Sequence, residues 1–324
     1  MQRRKLGRRG LELTAVGFGA AQIGNLYRPV DDETAAAAVD RAWGAGVRYF
    51  DTAPHYGLGL SERRLGAALA GRSREQFVLS TKVGRLLVPN PSPRGSDLDQ
   101  GAFAVPDDLA RVLDYSGDGM RRSLDASLER LGTDRVDIVY VHDPEEHMDQ
   151  AINEAIPALV ELREAGVVGA VGAGMNFWQP LLRIVTETDV DVVMLAGRWT
   201  LLERSGEPLL EACKRRGVSV VAAAPFNSGL LARPWPPDGA FYDYGPAPAE
   251  VLALARELAR TCEEHGTTLP EAAMCFPLRH PAVVSVVAGM RDGGQAEAAS
   301  GWADASIAPE AWAALDAVVA RAQR

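Results

Sequence analysis

The 324-residue sequence predicts an α/β protein folded as a single (β/α)₈ TIM barrel, and three observations predict it. Short β-branched runs alternate with longer segments of helical period, eight such runs can be placed, and the chain exceeds by roughly 70 residues the about 250 that such a barrel needs, an excess with visible homes in two long loops. The expected organisation is one barrel domain over 1–324, with no interdomain linker, internal repeat or low-complexity tract.

Taken in order, LTAVGFG (13–19) is the first expected strand. A helix over 31–43 places Ala36, Val39 and Trp43 on one face and stops at Gly44 and Gly46 before VRYFD (47–51). FVLSTK (77–82) is the third strand. A helix over 118–131 carries the stripe Met120, Leu124, Leu128 and Leu131 and feeds VDIVYVH (136–142). The alternation continues with a helix near 150–165, VVGAVG (167–172), a helix near 178–187, DVVML (191–195), a helix near 207–216 and VSVVAAA (218–224). Helices near 249–264 and 270–278 precede VVSVVAG (283–289), and a helix near 309–322 closes the chain, its Trp312, Leu315 and Val319 reading as core. The excess residues fall mainly in Gly84–Gly117, rich in Pro, Gly, Asp and Ser, and in RPWPPDGAFYDYGPAP (233–248). A loop as long as the first is more often functional than a mere connector, and loops after strands lie on the barrel face that carries active sites.

Composition narrows the function classes. With 47% hydrophobic and 24% charged residues the chain can bury a large core, which excludes disorder as its theme. A formal net charge of −9 argues against nucleic acid or an anionic membrane as the main partner. Cys213, Cys262 and Cys275 are odd in number and lack CxxC spacing, which fits a reducing compartment and argues against a disulfide framework or zinc. The basic start MQRRKLGRRG is followed by the mixed LELTAVGFGA rather than an apolar run, and no stretch approaches the roughly 18 to 20 apolar residues of a membrane span. A cytoplasmic protein is expected, of unspecified oligomeric state.

Four residues fall where the strand reading puts the active face. Asp51 ends the second strand, Tyr56 follows in its loop, Lys82 ends the third and His142 ends the fourth. A phenol ionises near pH 10, too high for easy exchange at neutrality, but an adjacent ammonium favours the ionised form and a carboxylate keeps that ammonium charged. Asp, Lys, Tyr and His together make a proton relay for carbonyl chemistry, the imidazole polarising the substrate oxygen. Each alone also reads as a turn cap, a loop aromatic, a solvated strand end or a backbone-bonded histidine. Four polar residues at three successive strand ends are harder to explain that way.

FDTAPHYGLGLSERRLGAAL (50–69) resembles the aldo-keto reductase segment in which a strand-end Asp is followed five residues later by the catalytic Tyr. SLERLGTDRVDIVYVHDP (127–144) is similar to that family's second signature, ending on the catalytic His, and STKVG supplies the Lys. The likeness runs from RKLGRRGLELTAVGFG to VVAGMRDGGQ, nearly the whole chain. It implies catalytic roles for Asp51, Tyr56, Lys82 and His142 and a nicotinamide cofactor, NADP or NAD. Asn176 would hold the nicotinamide amide, and Pro225, Phe226, Asn227, Ser228, Gly229 and Leu230 would form the pyrophosphate loop. Gly289, Arg291 and Gln295 would complete the cofactor site, Arg291 facing a 2′-phosphate and Asp292 repelling it, so that both cofactors are expected to serve. Met175, Ala196 and Ala223 depart from the family pattern. FVLSTKVGRLL, YVHDPEEH, AGRWTLLER and APFNSGLL look most like the family's aldose- and pyridoxal-oxidising members. That likeness implies oxidation of a small-molecule sugar or aldehyde, foremost an aldose of L-fucose or D-arabinose type at C1, with pyridoxal oxidation or general aldehyde reduction as alternatives.

Substrate contacts are expected from His55, Arg85, Arg198 and Trp199, which with Asn227 mix donors with a stacking aromatic. Arg198 could equally be a structural ion pair. GFGAAQIG and GAVGAGMNF carry Gln22 and Phe177 at the third glycine of a dinucleotide turn, so neither supports a Rossmann domain. His142, Asp143 and His147 fit no common metal spacing, and no metal is expected. A non-catalytic ligand-sensing subunit on the same barrel is the rival of another class, against which the intact tetrad argues. A Schiff base at Lys82 is disfavoured because Asp51 should keep the amine protonated.

Overall fold

The computed structural model describes every residue except Arg8, Gln323 and Arg324. The chain opens with an antiparallel hairpin, β1 (Arg3–Lys5) and β2 (Glu12–Thr14), and bends at Ala15 into the first barrel strand, β3 (Val16–Gly19). The expected single strand over 13–19 is thus two. Leu6 and Leu13 of the hairpin are buried with the side chains that fill the barrel, so the hairpin plugs its N-terminal end.

Seven more parallel strands close the barrel: β4 (Tyr49–Asp51), β5 (Val78–Val83), β8 (Ile138–His142), β9 (Ala170–Met175), β10 (Val192–Ala196), β11 (Ser219–Ala223) and β14 (Val283–Gly289), which pairs back to β3. The strand expected at 167–172 begins later, because residues 167 to 169 are spent reaching the sheet, and its end moves to Met175. The register staggers neighbouring strands: Asp51 lies beside Ser80, and Lys82 beside Tyr140.

Helices cover the outside, their apolar faces packed on the sheet in one continuous core. Two of them, Leu60–Leu69 and Gly293–Trp302, lie where no helix was expected. The first contains Gly66, where a Cβ would overlap the Leu131 carbonyl oxygen of the helix Gly117–Leu131. The second is rich in Gly, Ala and Ser, so its period is faint. Among the described residues no helix is long and apolar enough to cross a membrane.

The loop after β5 is ordered by a second hairpin, β6 (Arg85–Pro89) and β7 (Leu109–Leu113). Its tip is pinned by Asp107, which accepts from the Arg94 and Gly95 amides at 2.7 Å each. The segment beyond the tip returns over the barrel mouth, where Phe103 and Val105 are buried with Leu58 against Leu26, Tyr56 and Leu60. The second long loop carries only two short strands, β12 (Phe241–Tyr242) and β13 (Gly245–Pro246).

Candidate active site

Side chains alternate along a strand, so Asp51 and Tyr49 share one face, as do Lys82 and Ser80, and His142 and Tyr140. These faces point into the barrel, and the upper member of each pair reaches its C-terminal mouth. Lys82 Nζ lies 2.6 Å from Asp51 Oδ2, 3.1 Å from the Thr52 carbonyl and 3.0 Å from the Tyr56 hydroxyl. Asp51 and Lys82 are almost wholly buried. The His142 ring stands edge-on to Tyr56 with centroids 6.0 Å apart. The four residues expected to form a relay are thus brought together.

The loop that carries Tyr56 owes its position to glycine. Gly57 has φ +63°, and a Cβ there would overlap the Gly24 carbonyl oxygen. Ser61, four residues on, donates to the Ala20 carbonyl at 2.8 Å and shares a 2.9 Å hydrogen bond with Thr52. His142 is fixed from outside by Tyr115, whose hydroxyl lies 2.7 Å from the His142 carbonyl.

Charge distributes unevenly over the four groups. Burial alone would lower the Lys82 ammonium, but the Asp51 carboxylate and the Tyr56 phenol more than offset it and hold the amine protonated. Burial lifts the Tyr56 phenol above its usual value while Lys82 pulls it back. Burial, reinforced by the charges of Arg85 and Lys82, drives His142 well below the ordinary histidine value, so its imidazole is neutral. His55, also buried and facing Arg85 and Arg111, is held down at about 2. A neutral imidazole beside a phenol that is bonded to an ammonium can polarise a carbonyl or hydroxyl oxygen while the phenol exchanges its proton.

Of the expected substrate residues, two line this space. His55 packs edge-on to His142 at 5.7 Å and to Phe103 at 5.4 Å. Arg85 pairs with Asp143 at 2.7 Å, and that carboxylate stands 3.4 Å from His142 Nε2. Arg198 pairs instead with Asp243 at 2.9 Å, the structural alternative. Trp199 does not line the site: its ring packs on Phe276 and His280, and its indole N–H donates to the Pro277 carbonyl, because burial of an indole demands such an acceptor.

Of the expected cofactor residues, Asn176, Asn227 and Ser228 line one groove. Ala196, Gly197, Arg198 and Ala224 complete its lining on the same side. The buried Asn227 Oδ1 has no protein partner. An amide-bearing ring can donate to such an acceptor, so these residues fit a nicotinamide. As folded, Asp243 and Tyr244 lie across the groove, the Tyr244 amide donating to Ser228 Oγ at 3.1 Å, and only about 20 Å³ is free. In the loop 225–230, Asn227, Ser228 and Gly229 all have positive φ, and Ser228 and Gly229 are exposed. Phe226 packs on Trp302 and Leu230 is fully buried, so these two side chains anchor the loop and can offer a ligand only their backbone.

Gly289 is exposed at the end of β14 beside Gln22. Arg291 is mostly buried, donating to the Arg28 and Leu26 carbonyls at 3.2 and 2.9 Å and to Gln22 Oε1. Its guanidinium braces the loop 22–28 and is not aimed free at a phosphate. Asp292 caps the helix Gly293–Trp302 by accepting from the Gln295 amide at 2.9 Å, and Gln295 accepts from the Arg291 amide at 3.0 Å. A larger cavity of about 290 Å³ lies at the opposite end of the barrel, near Arg48, Arg74, Arg135 and Asp137, remote from this chemistry.

Sequence reasoning missed Phe103, Arg111 and Tyr115, which come from the hairpin loop and have no local signal. Arg111 donates to the His55 carbonyl at 2.9 Å while paired with buried Asp97 at 2.6 Å. It also missed Ser80, although the two-residue spacing from Lys82 could have revealed it.

Residues 15–320 match the Aldo/keto reductase family. The chain is 47% identical over 309 residues to D-threo-aldose 1-dehydrogenase of a Pseudomonas species, covering 94% of each. It is 40% identical over 332 residues to pyridoxal 4-dehydrogenase of Microbacterium luteolum, covering 97% of this chain and 96% of the relative. Among solved structures, the holo form of aldo-keto reductase AKR11C1 from Bacillus halodurans superposes with a TM-score of 0.79 at 25% identity, over 98% of this chain and 96% of that one.

Proposed function

The chain belongs to the aldo/keto reductase family, and from that premise we propose that it oxidises aldoses of the L-fucose or D-arabinose type at C1 to the lactone, as one barrel domain over 1–324 using NAD or NADP. The observation that carries the reading is Lys82 bonded at once to Asp51 and Tyr56 beside a neutral His142. Relatedness to a D-threo-aldose 1-dehydrogenase over most of both chains supports the substrate class.

In this reading Tyr56 accepts the proton of the C1 hydroxyl. Lys82 stabilises the phenolate form that takes up this proton, and Asp51 keeps Lys82 charged. His142, being neutral, hydrogen-bonds the reacting oxygen without competing for the charge. The bound nicotinamide supplies the hydride chemistry. Asn176 would hold its amide, the loop 225–230 its pyrophosphate, and Gly289, Arg291 and Gln295 the end of the groove. Asp243 and Tyr244 would have to move aside to admit it.

Around the reacting carbon, His55 and the Arg85–Asp143 pair supply the donors and acceptors that a ring bearing hydroxyls needs. The aromatic wall of His55, Tyr56 and Phe103 favours pyridoxal as the second reading. Incubation with L-fucose and each cofactor, followed by absorbance of reduced nicotinamide and hydroxylamine capture of the lactone, tests the proposal. Cofactor reduction with a captured lactone supports it, and no reduction with any free aldose refutes it.

A further inference from the structure

Beneath the tetrad, three buried hydroxyl groups continue its hydrogen bonding down the barrel axis. Ser80 Oγ lies 2.7 Å from Asp51 Oδ1 and 3.1 Å from the Tyr49 hydroxyl, which lies 3.1 Å from the Tyr140 hydroxyl. All three residues are 0% exposed, so each hydroxyl must find its partner within the chain.

Proton counting decides where the Ser80 hydrogen goes. A hydroxyl has one hydrogen, and an ionised carboxylate can only accept. Ser80 therefore gives its proton to Asp51, the stronger, charged acceptor. The Tyr49 hydroxyl is the other acceptor within its reach, one hydrogen cannot serve both, and the bond between the two phenols can be given by either of them. Burial raises both phenols far above their ordinary value, so they stay protonated and offer Asp51 no proton exit.

We propose that Ser80 is a positioning residue that steadies the Asp51 carboxylate and thereby controls proton exchange at Tyr56. Asp51 divides its charge between Ser80 on one oxygen and Lys82 on the other. Without the Ser80 donor the carboxylate draws harder on the Lys82 ammonium. Lys82 then gives less to the Tyr56 oxygen, and the phenolate is harder to form. The other charged or titratable groups facing Tyr56 are His55 and His142, Asp143 with Arg85, Arg111 behind His55, and Tyr244 from the second long loop. None of them touches Ser80, so a change there reaches Tyr56 only through Asp51 and Lys82.

The inference rests on Tyr56 being the proton carrier, and its test separates the two ideas. Reduction of 4-nitrobenzaldehyde by NADH, measured as kcat/KM across the neutral to alkaline range, falls as Tyr56 loses its proton. Ser80→Ala should move that midpoint upward by about half a pH unit or more. Carbon-13 NMR of the enzyme with labelled tyrosine Cζ, the Tyr56 signal being assigned by its loss in Tyr56→Phe, reads the same midpoint without turnover. A midpoint in Ser80→Ala that is unmoved or lowered overturns the proposal, even if turnover falls, because a packing defect alone would slow the enzyme without shifting its titration. If the aldehyde is not reduced, the reading of Tyr56 fails, while the NMR midpoint still decides whether Ser80 acts on it.

Discussion

Lys82 Nζ stands 3.0 Å from the Tyr56 hydroxyl, near enough to donate to it, while the same nitrogen is held 2.6 Å from Asp51. The ammonium is thus fixed at a point where it favours the phenolate. Tyr56→Phe should keep cofactor affinity, measured by fluorescence titration, and lower turnover at least the roughly 10²-fold expected for loss of a general acid or base. Lys82→Met should lower turnover similarly and move the alkaline limb of the rate profile upward.

Arg291 supplies the second prediction. Its donors are engaged with the Arg28 and Leu26 carbonyls, so Arg291→Ala should weaken NAD and NADP binding alike by loosening the loop 22–28. In the parent enzyme the two cofactors should differ by less than about a hundredfold in kcat/KM. A loss confined to NADP in the variant would show instead that the guanidinium turns to a 2′-phosphate.

Much of this was legible in the sequence, and the rest was hidden for physical reasons. The barrel strands are buried on both faces, so they stand out as β-branched runs, and Asp51, Lys82 and His142 sit at the ends of three of them. Gly66 concealed the helix Leu60–Leu69, since glycine weakens a helix read alone and the packing that requires it comes from Leu131, 65 positions away in the chain. Trp199 was expected at the substrate from its place after β10, yet its partners Phe276, Pro277 and His280 lie far along the sequence. Contacts of that kind leave no local pattern. Arg111 and Tyr115 were hidden likewise, their partners being main-chain carbonyls of His55 and His142.

The approach of Gly57 to Gly24 predicts a stability effect coupled to function. Gly57→Ala adds a Cβ to a left-handed residue against main chain that cannot yield. It should cost about 1 to 3 kcal/mol in urea unfolding and lower turnover more than the same loss of stability elsewhere, since it displaces Tyr56. Gly132→Ala, also at positive φ but with open space around it, should cost stability and leave turnover of the folded enzyme unchanged.

The neutral histidines predict an acid-side weakness. The folded chain holds His55 at about 2 and His142 well below the ordinary value, whereas the unfolded chain titrates both near pH 6.5. Below that pH the unfolded state binds protons that the folded state refuses, so stability falls as pH drops, by up to about 1.4 kcal/mol per pH unit for each histidine. Urea midpoints measured from about pH 7 to 5 should decline, and His55→Asn should flatten the decline. An unchanged slope in that variant would mean that His55 is protonated in the folded enzyme.

The central claim, oxidation of an aldose at C1 through the Tyr56 relay, is tested most directly by kcat/KM for L-fucose, D-arabinose and pyridoxal under one set of conditions with saturating NAD. The account predicts that one of the two sugars leads and that pyridoxal trails. Pyridoxal ahead by about tenfold or more would reverse the substrate assignment, and inactivity towards all three would contradict it outright.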